Sequence, residues 1–240
     1  MFRAKILKEA ETKDTRLILN LDISMQINSQ DDQAALLERA FQICRSTKDY
    51  LAAVKTNRQF ADAVGLLNVR KLIEEMKMPF IADFKIADID NTAVQIASNA
   101  YFTGYDAIIM HAFVGRDPIQ AVMKEFPNLG IIAVVAMTHP GAKEFILPNT
   151  PAMCKLAKEV GVAGVIAPGN KPEHIKPIRE AVGNEILLLC PGLGAQGGVY
   201  GDALRAGADF EMVGRSIFDA KDPAEEALKI MEQMREARKK

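Results

Sequence analysis

The chain has 240 residues, 49% of them hydrophobic and 25% charged, enough to bury one substantial core. That balance excludes an intrinsically disordered chain, a collagen-like repeat and a small disulfide scaffold. Thirty basic residues against 31 acidic ones leave a net charge of -1, so neither nucleic acid nor an anionic membrane is attracted in general, and any anion site must be local.

The opening segment, MFRAKILKEAETKDTR, is charged throughout and lacks the apolar run of a signal peptide. It reads as a short helical extension to one domain spanning residues 1 to 240. No apolar stretch approaches the roughly 18 residues of a membrane span, and the expected location is the cytoplasm. Cys44, Cys154 and Cys190 have no CxxC spacing and lie in apolar surroundings, so reduced, buried thiols are expected.

In chain order, strand-like and helix-like segments alternate. RLILNLD (16 to 22) precedes the helical spacing of 34 to 44; YLAAVKT (50 to 56) precedes 69 to 77; PFIADF (79 to 84) precedes 93 to 102; DAIIMHA (106 to 112) precedes 118 to 126. GIIAVVAM (130 to 137) is followed by a helix over 151 to 159, AGVIAP (163 to 168) by 174 to 182, EILLLC (185 to 190) by a short helix over 199 to 207, and DFEMVG (209 to 214) by a long one over 222 to 240. Apolar runs this continuous suit parallel strands covered on both faces. A doubly wound sheet also accommodates such units, but eight of them in 240 residues, without a long linker, predict a single-domain (β/α)8 barrel.

In such a barrel, chemistry sits where the strands end. Asp22, Lys55, Asp83, Lys85, His111, Thr138 and Arg215 all fall at those ends. The densest group is ADFKIADIDNT (82 to 92), in which strand alternation puts Asp83 and Lys85 on one face and Asp88 opens the next helix. Asp88 alone has a second explanation, because an acidic residue at a helix start caps free amides. Two opposite charges at the mouth of an apolar strand must lose hydration, which favours a network or a function. PGLGAQGG (191 to 198) and VGRS (213 to 216) follow the seventh and eighth strands, where barrels often bind phosphate. Glycines admit backbone amides to an anion, Gln196 donates an amide, and Arg215 offers a planar fork. His139, in MTHPGA, reads as part of a turn, and His111 as packing. The histidines are dispersed, and metal-site spacings, a nucleophile elbow, a P-loop and a dinucleotide fingerprint are lacking, so neither metal nor cofactor is expected.

From Asp22 to Arg215 these motifs resemble those of the orotidine 5'-monophosphate decarboxylase family, with ADFKIAD as the most specific. The resemblance implies that Asp83 faces the substrate carboxylate, that Lys85 protonates C6, and that Asp22 and Lys55 hold the ribose hydroxyls. It further implies Thr138 at the pyrimidine edge and the 5'-phosphate held by Gln196, Arg215 and the Gly214 amide, under a loop running from Pro191 to Tyr200. The family completes its site across a homodimer, which gives Asp88 and Thr92 to the neighbouring site. Two departures stand out: Asp-Ile-Asp (88 to 90) where the family commonly has Asp-Ile-Pro, and Thr138 where archaeal-type relatives often have serine. Related barrels acting on keto-sugar phosphates share Asp-x-Lys-x-x-Asp, but use magnesium and have glutamate at the second strand end, where this chain has Lys55. A non-catalytic nucleotide-binding barrel could dispense with the charges, and Asp83, Lys85 and Asp88 are all present.

Overall fold

Aliphatic runs too short for helices and apolar on both faces can bury themselves only as strands under a layer of helices. In the computed structural model, which describes residues 1–194 and 197–239, eight such strands close into a parallel barrel in chain order. They are β1 (Leu17–Asn20), β2 (Ala53–Asn57), β3 (Phe80–Ile86), β4 (Ala107–His111), β5 (Gly130–Val134), β6 (Gly164–Ile166), β7 (Leu187–Pro191) and β8 (Phe210–Val213). Each overlaps its predicted run, and closure of β1 on β8 excludes the doubly wound alternative.

The helices are α1 (Phe2–Thr12), α2 (Gln30–Thr47), α3 (Arg58–Val64), α4 (Leu66–Met76), α5 (Asp90–Thr103), α6 (Arg116–Glu125), α7 (Ala142–Val160), α8 (Pro172–Val182), α9 (Asp202–Arg205), α10 (Arg215–Phe218) and α11 (Pro223–Arg238). Several differ from the sequence expectation, among them the short α10, which the sequence reading does not anticipate. The helix expected from Pro151 begins at Ala142 and contains Pro148 and Pro151. Proline removes a donor, which takes the usual amide from the Glu144 and Leu147 carbonyls; the neighbouring Phe145 and Ile146 carbonyls accept from Asn149 Nδ2 at 2.6 Å and Thr150 Oγ1 at 3.3 Å. The segment 199 to 207 forms only the single turn α9. An additional helix, α3, directly follows β2, with Asn57 accepting from the Phe60 amide as its cap.

Strand alternation sorts the residues. Ile18, Ala53, Ile81, Ala107, Ile109, Ile132, Val134, Leu187, Leu189, Phe210 and Met212 fill the barrel, and Phe2, Ile6 and Ala10 of α1 join them. Helix α1 therefore stoppers the barrel from below; Phe2 lies so close to Gly130 that an added Cβ there would meet the Phe2 Cβ at 2.7 Å. The outward row packs against the surrounding helices as the larger cluster. Above the apolar filling, the next inward positions on β1, β2 and β3 are polar, and these begin the site.

Candidate active site

Asn20, Lys55 and Asp83 sit two residues beyond Ile18, Ala53 and Ile81 along β1, β2 and β3, so they point inward at the upper rim. The Lys55 ammonium donates to Asp22 Oδ1 and Oδ2 at 2.8 and 2.9 Å and to Asp83 Oδ2 at 2.8 Å. Lys85 Nζ lies 2.7 Å from each oxygen of Asp83. The four groups thus alternate in sign as Asp22, Lys55, Asp83, Lys85.

Only 3% of Lys55 and 8% of Asp83 are exposed, so neither ion retains much water. Burial pulls the Lys55 ammonium down, but Asp83 and Asp22 together outweigh it and hold its pKa above the ordinary lysine value. Burial pushes the Asp83 carboxyl up, and Lys55 and Lys85 outweigh that in turn, holding it below the usual aspartate range. Both groups stay ionised at neutral pH because each has the other.

Asp83 and Lys85 do share a face, but not through simple pleating. Lys85 has φ 44°, a left-handed conformation that a side-chain-bearing residue rarely adopts, and the register between β3 and β4 shifts between Ala82 and Ile86. The bulge turns Lys85 back over Asp83 and leaves its ammonium partly open to the cavity.

That cavity, of about 240 Å³, is lined by the four charged residues with Asn20, Thr138 and Pro191, and by an apolar wall that includes Ile109, Val134, Ile166 and Met212. A second cavity of about 440 Å³ shares Asn20, Asp22 and Met212 with it and continues to Gly192, Gly214 and Arg215. Arg215 opens α10 and forms no ion pair with any described residue. The two cavities suit a flat, partly apolar group beside the charges and an anion beside the arginine.

Asp22, Lys55, Asp83, Lys85, Thr138, Pro191, Gly214 and Arg215 are therefore brought together as the sequence leads one to expect. Gln196 lies outside the described residues. Asp88 and Thr92 do not line either cavity of their own chain. Asp88 is exposed, and its Oδ1 accepts from the Ile89 amide at 2.8 Å. The helix begins with Asp90 rather than Asp88, a correction that places the non-proline residue at a first helical position. Proline is merely favoured there, and an acidic side chain also suits it.

Asn20 is a lining residue that the sequence reading passed over; its signal was the second polar residue, two before Asp22, in LILNLD. His111 stacks on Phe113 at 4.7 Å between ring centroids. Burial, reinforced by Lys85, lowers its pKa and favours the neutral imidazole. His139 lies in a bend ahead of α7, as expected. Cys44, Cys154 and Cys190 are buried free thiols. Among the described residues, no group of three His, Cys, Asp or Glu side chains could hold a metal ion. No described helix is long and apolar enough to cross a membrane.

Fold and site together define the class: a (β/α)8 barrel with a buried array of alternating charges and an anion-ready cavity on its C-terminal rim. The sequence model of the Orotidine 5'-phosphate decarboxylase / HUMPS family matches residues 15–230, and the chain belongs to that family. It is 47% identical over 199 residues to the orotidine 5'-phosphate decarboxylase of Pyrococcus abyssi, covering 82% of this chain and 94% of that protein. It is 44% identical over 225 residues to that of Thermococcus kodakarensis, covering 93% and 99%. The crystal structure of the Pyrococcus horikoshii enzyme superposes with a TM-score of 0.81 at 42% identity, covering 91% of this chain and 99% of that one. The Methanocaldococcus jannaschii enzyme, crystallised with the inhibitor BMP, gives 0.81 at 33% identity, covering 92% and 98%.

Proposed function

We propose that this enzyme decarboxylates orotidine 5'-monophosphate to uridine 5'-monophosphate and carbon dioxide, a carboxy-lyase step of pyrimidine biosynthesis, without metal or organic cofactor. The observation that carries this reading is the Lys85 ammonium held 2.7 Å from Asp83 at the open edge of a buried ion array.

As carbon dioxide leaves, the bonding electron pair stays on C6 in the plane of the ring, where the π system cannot delocalise it. A fixed ammonium beside C6 stabilises that charge in the transition state more than in the ground state, and needs no solvent reorganisation. Lys85 then transfers one proton from Nζ to C6 and recovers it from water. Asp83 faces the departing carboxylate and fixes Lys85. Asp22 and Lys55 hold the ribose hydroxyls, and Thr138 and Pro191 border the pyrimidine. Arg215, the Gly214 amide and Gln196 take the 5'-phosphate, whose binding energy supports a reaction some distance away. Two copies form the working unit in the cytoplasm, each giving Asp88 and Thr92 to the other's site.

Lys55 counts against the keto-sugar phosphate reading, which requires a glutamate at that strand end. The direct test is the fall in ultraviolet absorbance as orotidylate becomes uridylate, followed with chelator-treated protein. Undiminished turnover is expected. A silent trace points to a barrel that only binds nucleotide, and activity lost to the chelator points to a metal-dependent relative.

A further inference from the structure

Among the described residues, the one buried carboxyl group besides that of Asp83 takes no part in this chemistry. Glu211 lies in β8 between Phe210 and Met212, which point into the barrel, so its own side chain points outward beneath the helices. It is wholly buried, and no described lysine, arginine or histidine forms an ion pair with it. Its Oε1 accepts from the amides of Gly201, Ala203 and Leu204 at 2.9, 3.0 and 3.3 Å, and its Oε2 from Gly201 at 2.8 Å. The titratable groups facing it are Asp202 on α9 and the thiol of Cys190, its register partner on β7.

Capping a single turn such as α9 ordinarily needs only a local serine or aspartate. Here a carboxylate is drawn from another element into a site without a cation, which is costly unless position is the point. The position is telling. The amides it holds are the C-terminal root of the glycine loop after β7, and three and four residues further along its own strand direction come Gly214 and Arg215. The described part of that loop is folded on itself, with Gly194 donating to Gly198 at 2.8 Å and Gly198 to Gly192 at 3.3 Å. Gly201 has φ 90° and packs so tightly on Ala237 of α11 that no side chain fits there. The loop root is thus clamped between β8 and α11.

We propose that Glu211 is a positioning residue for phosphate recognition: its carboxylate ties the root of the β7 loop to β8, fixing the spacing between that loop and Arg215. This rests on the decarboxylase reading above and extends it to a residue that never touches substrate.

The test compares orotidine 5'-monophosphate with phosphate-free orotidine in wild type and Glu211→Gln, which replaces one acceptor oxygen by a donor facing other donors. Wild type must first turn over orotidylate; its failure would overturn the decarboxylase reading instead. At about pH 8 the variant is expected to lose about tenfold in kcat/KM on orotidylate and nothing on orotidine. Burial pushes the Glu211 carboxyl up to about 7, so wild type approaches the variant as the pH falls to about 6, while titration of the substrate phosphate cancels in their ratio. Equal losses on both substrates, or none on either, would overturn the proposal. Should the variant not fold, exchange of the Gly201 amide in wild type, corrected for intrinsic rate, must rise over the same pH interval and be suppressed by uridylate; protection independent of pH overturns it.

Discussion

The β1 to β3 side of the rim and the β7 to β8 side solve opposite problems. On the first, Lys55 and Asp83 are buried, hydrogen-bonded to each other, and locked by an apolar layer beneath. On the second, Gly192, Gly214 and Arg215 border an open cavity, and the arginine awaits a partner among the described residues. A group that must act on a transient charge gains from having its neighbours fixed beforehand. A group that captures a permanent charge needs only its backbone frame held in advance and can stay open to solvent until the ligand arrives, after which remote binding energy supports the reaction. The comparison teaches that substitutions on the first side should strike turnover and stability, whereas those on the second should strike selectivity for the phosphorylated substrate.

The sharpest break is Lys85→Ala. On the mechanism proposed above, loss of Lys85 removes both the proton donor and its field and should lower kcat by at least about 10⁵-fold, while uridylate binding, measured by calorimetry, survives. Near-normal turnover of the purified variant would end the assignment. Next comes Lys55→Ala, which leaves Asp83 buried with one cation fewer; about 3 kcal/mol of stability should be lost, seen as a fall of roughly 6 to 12 °C in the melting temperature of the ligand-free protein. The same array sets an acid limit. Because the folded Asp83 pKa lies below its ordinary value of 3.8, its contribution is present above that value and is lost only as pH falls below it. Acid melts of wild type and Asp83→Asn should therefore converge only below about pH 4.

On the other side, Arg215→Ala should reduce kcat/KM for orotidylate by about two orders of magnitude through loss of charge-assisted hydrogen bonds, with orotidine unaffected. A matching loss on orotidine would show that the two sides are not separable. The smallest effect belongs to Asp90→Pro. Proline suits a first helical position, but the change removes an acidic first-turn residue whose Oδ1 accepts from the Asn91 amide at 2.8 Å. A stability change within about 1 kcal/mol is expected from denaturant unfolding.

Sequence alone exposed the barrel and most of its rim because both depend on periodicity: alternating strands fix which residues point inward, and the barrel rule fixes which end matters. What it hid depends on contacts between distant segments. The helical turns ahead of Pro151 were masked by two prolines, Pro148 and Pro151, which the helix nevertheless accommodates. The conformation of Lys85 was invisible because a bulge and a regular pleat both leave Asp83 and Lys85 near each other. Glu211 passed as part of an apolar run, although one carboxylate among Phe210, Met212 and Val213 was a signal that could have been followed.

Helix α1 lies at the far end of the barrel from the rim charges, yet it bears on how strongly those groups interact. With Phe2, Ile6 and Ala10 buried under the apolar filling, the described residues leave the ion array facing its cavity at the rim. Were the stopper drawn, water could rise toward Lys55 and Asp83 from beneath, and the local dielectric constant would increase with it. The first dozen residues thus act as insulation for a field generated at the opposite mouth.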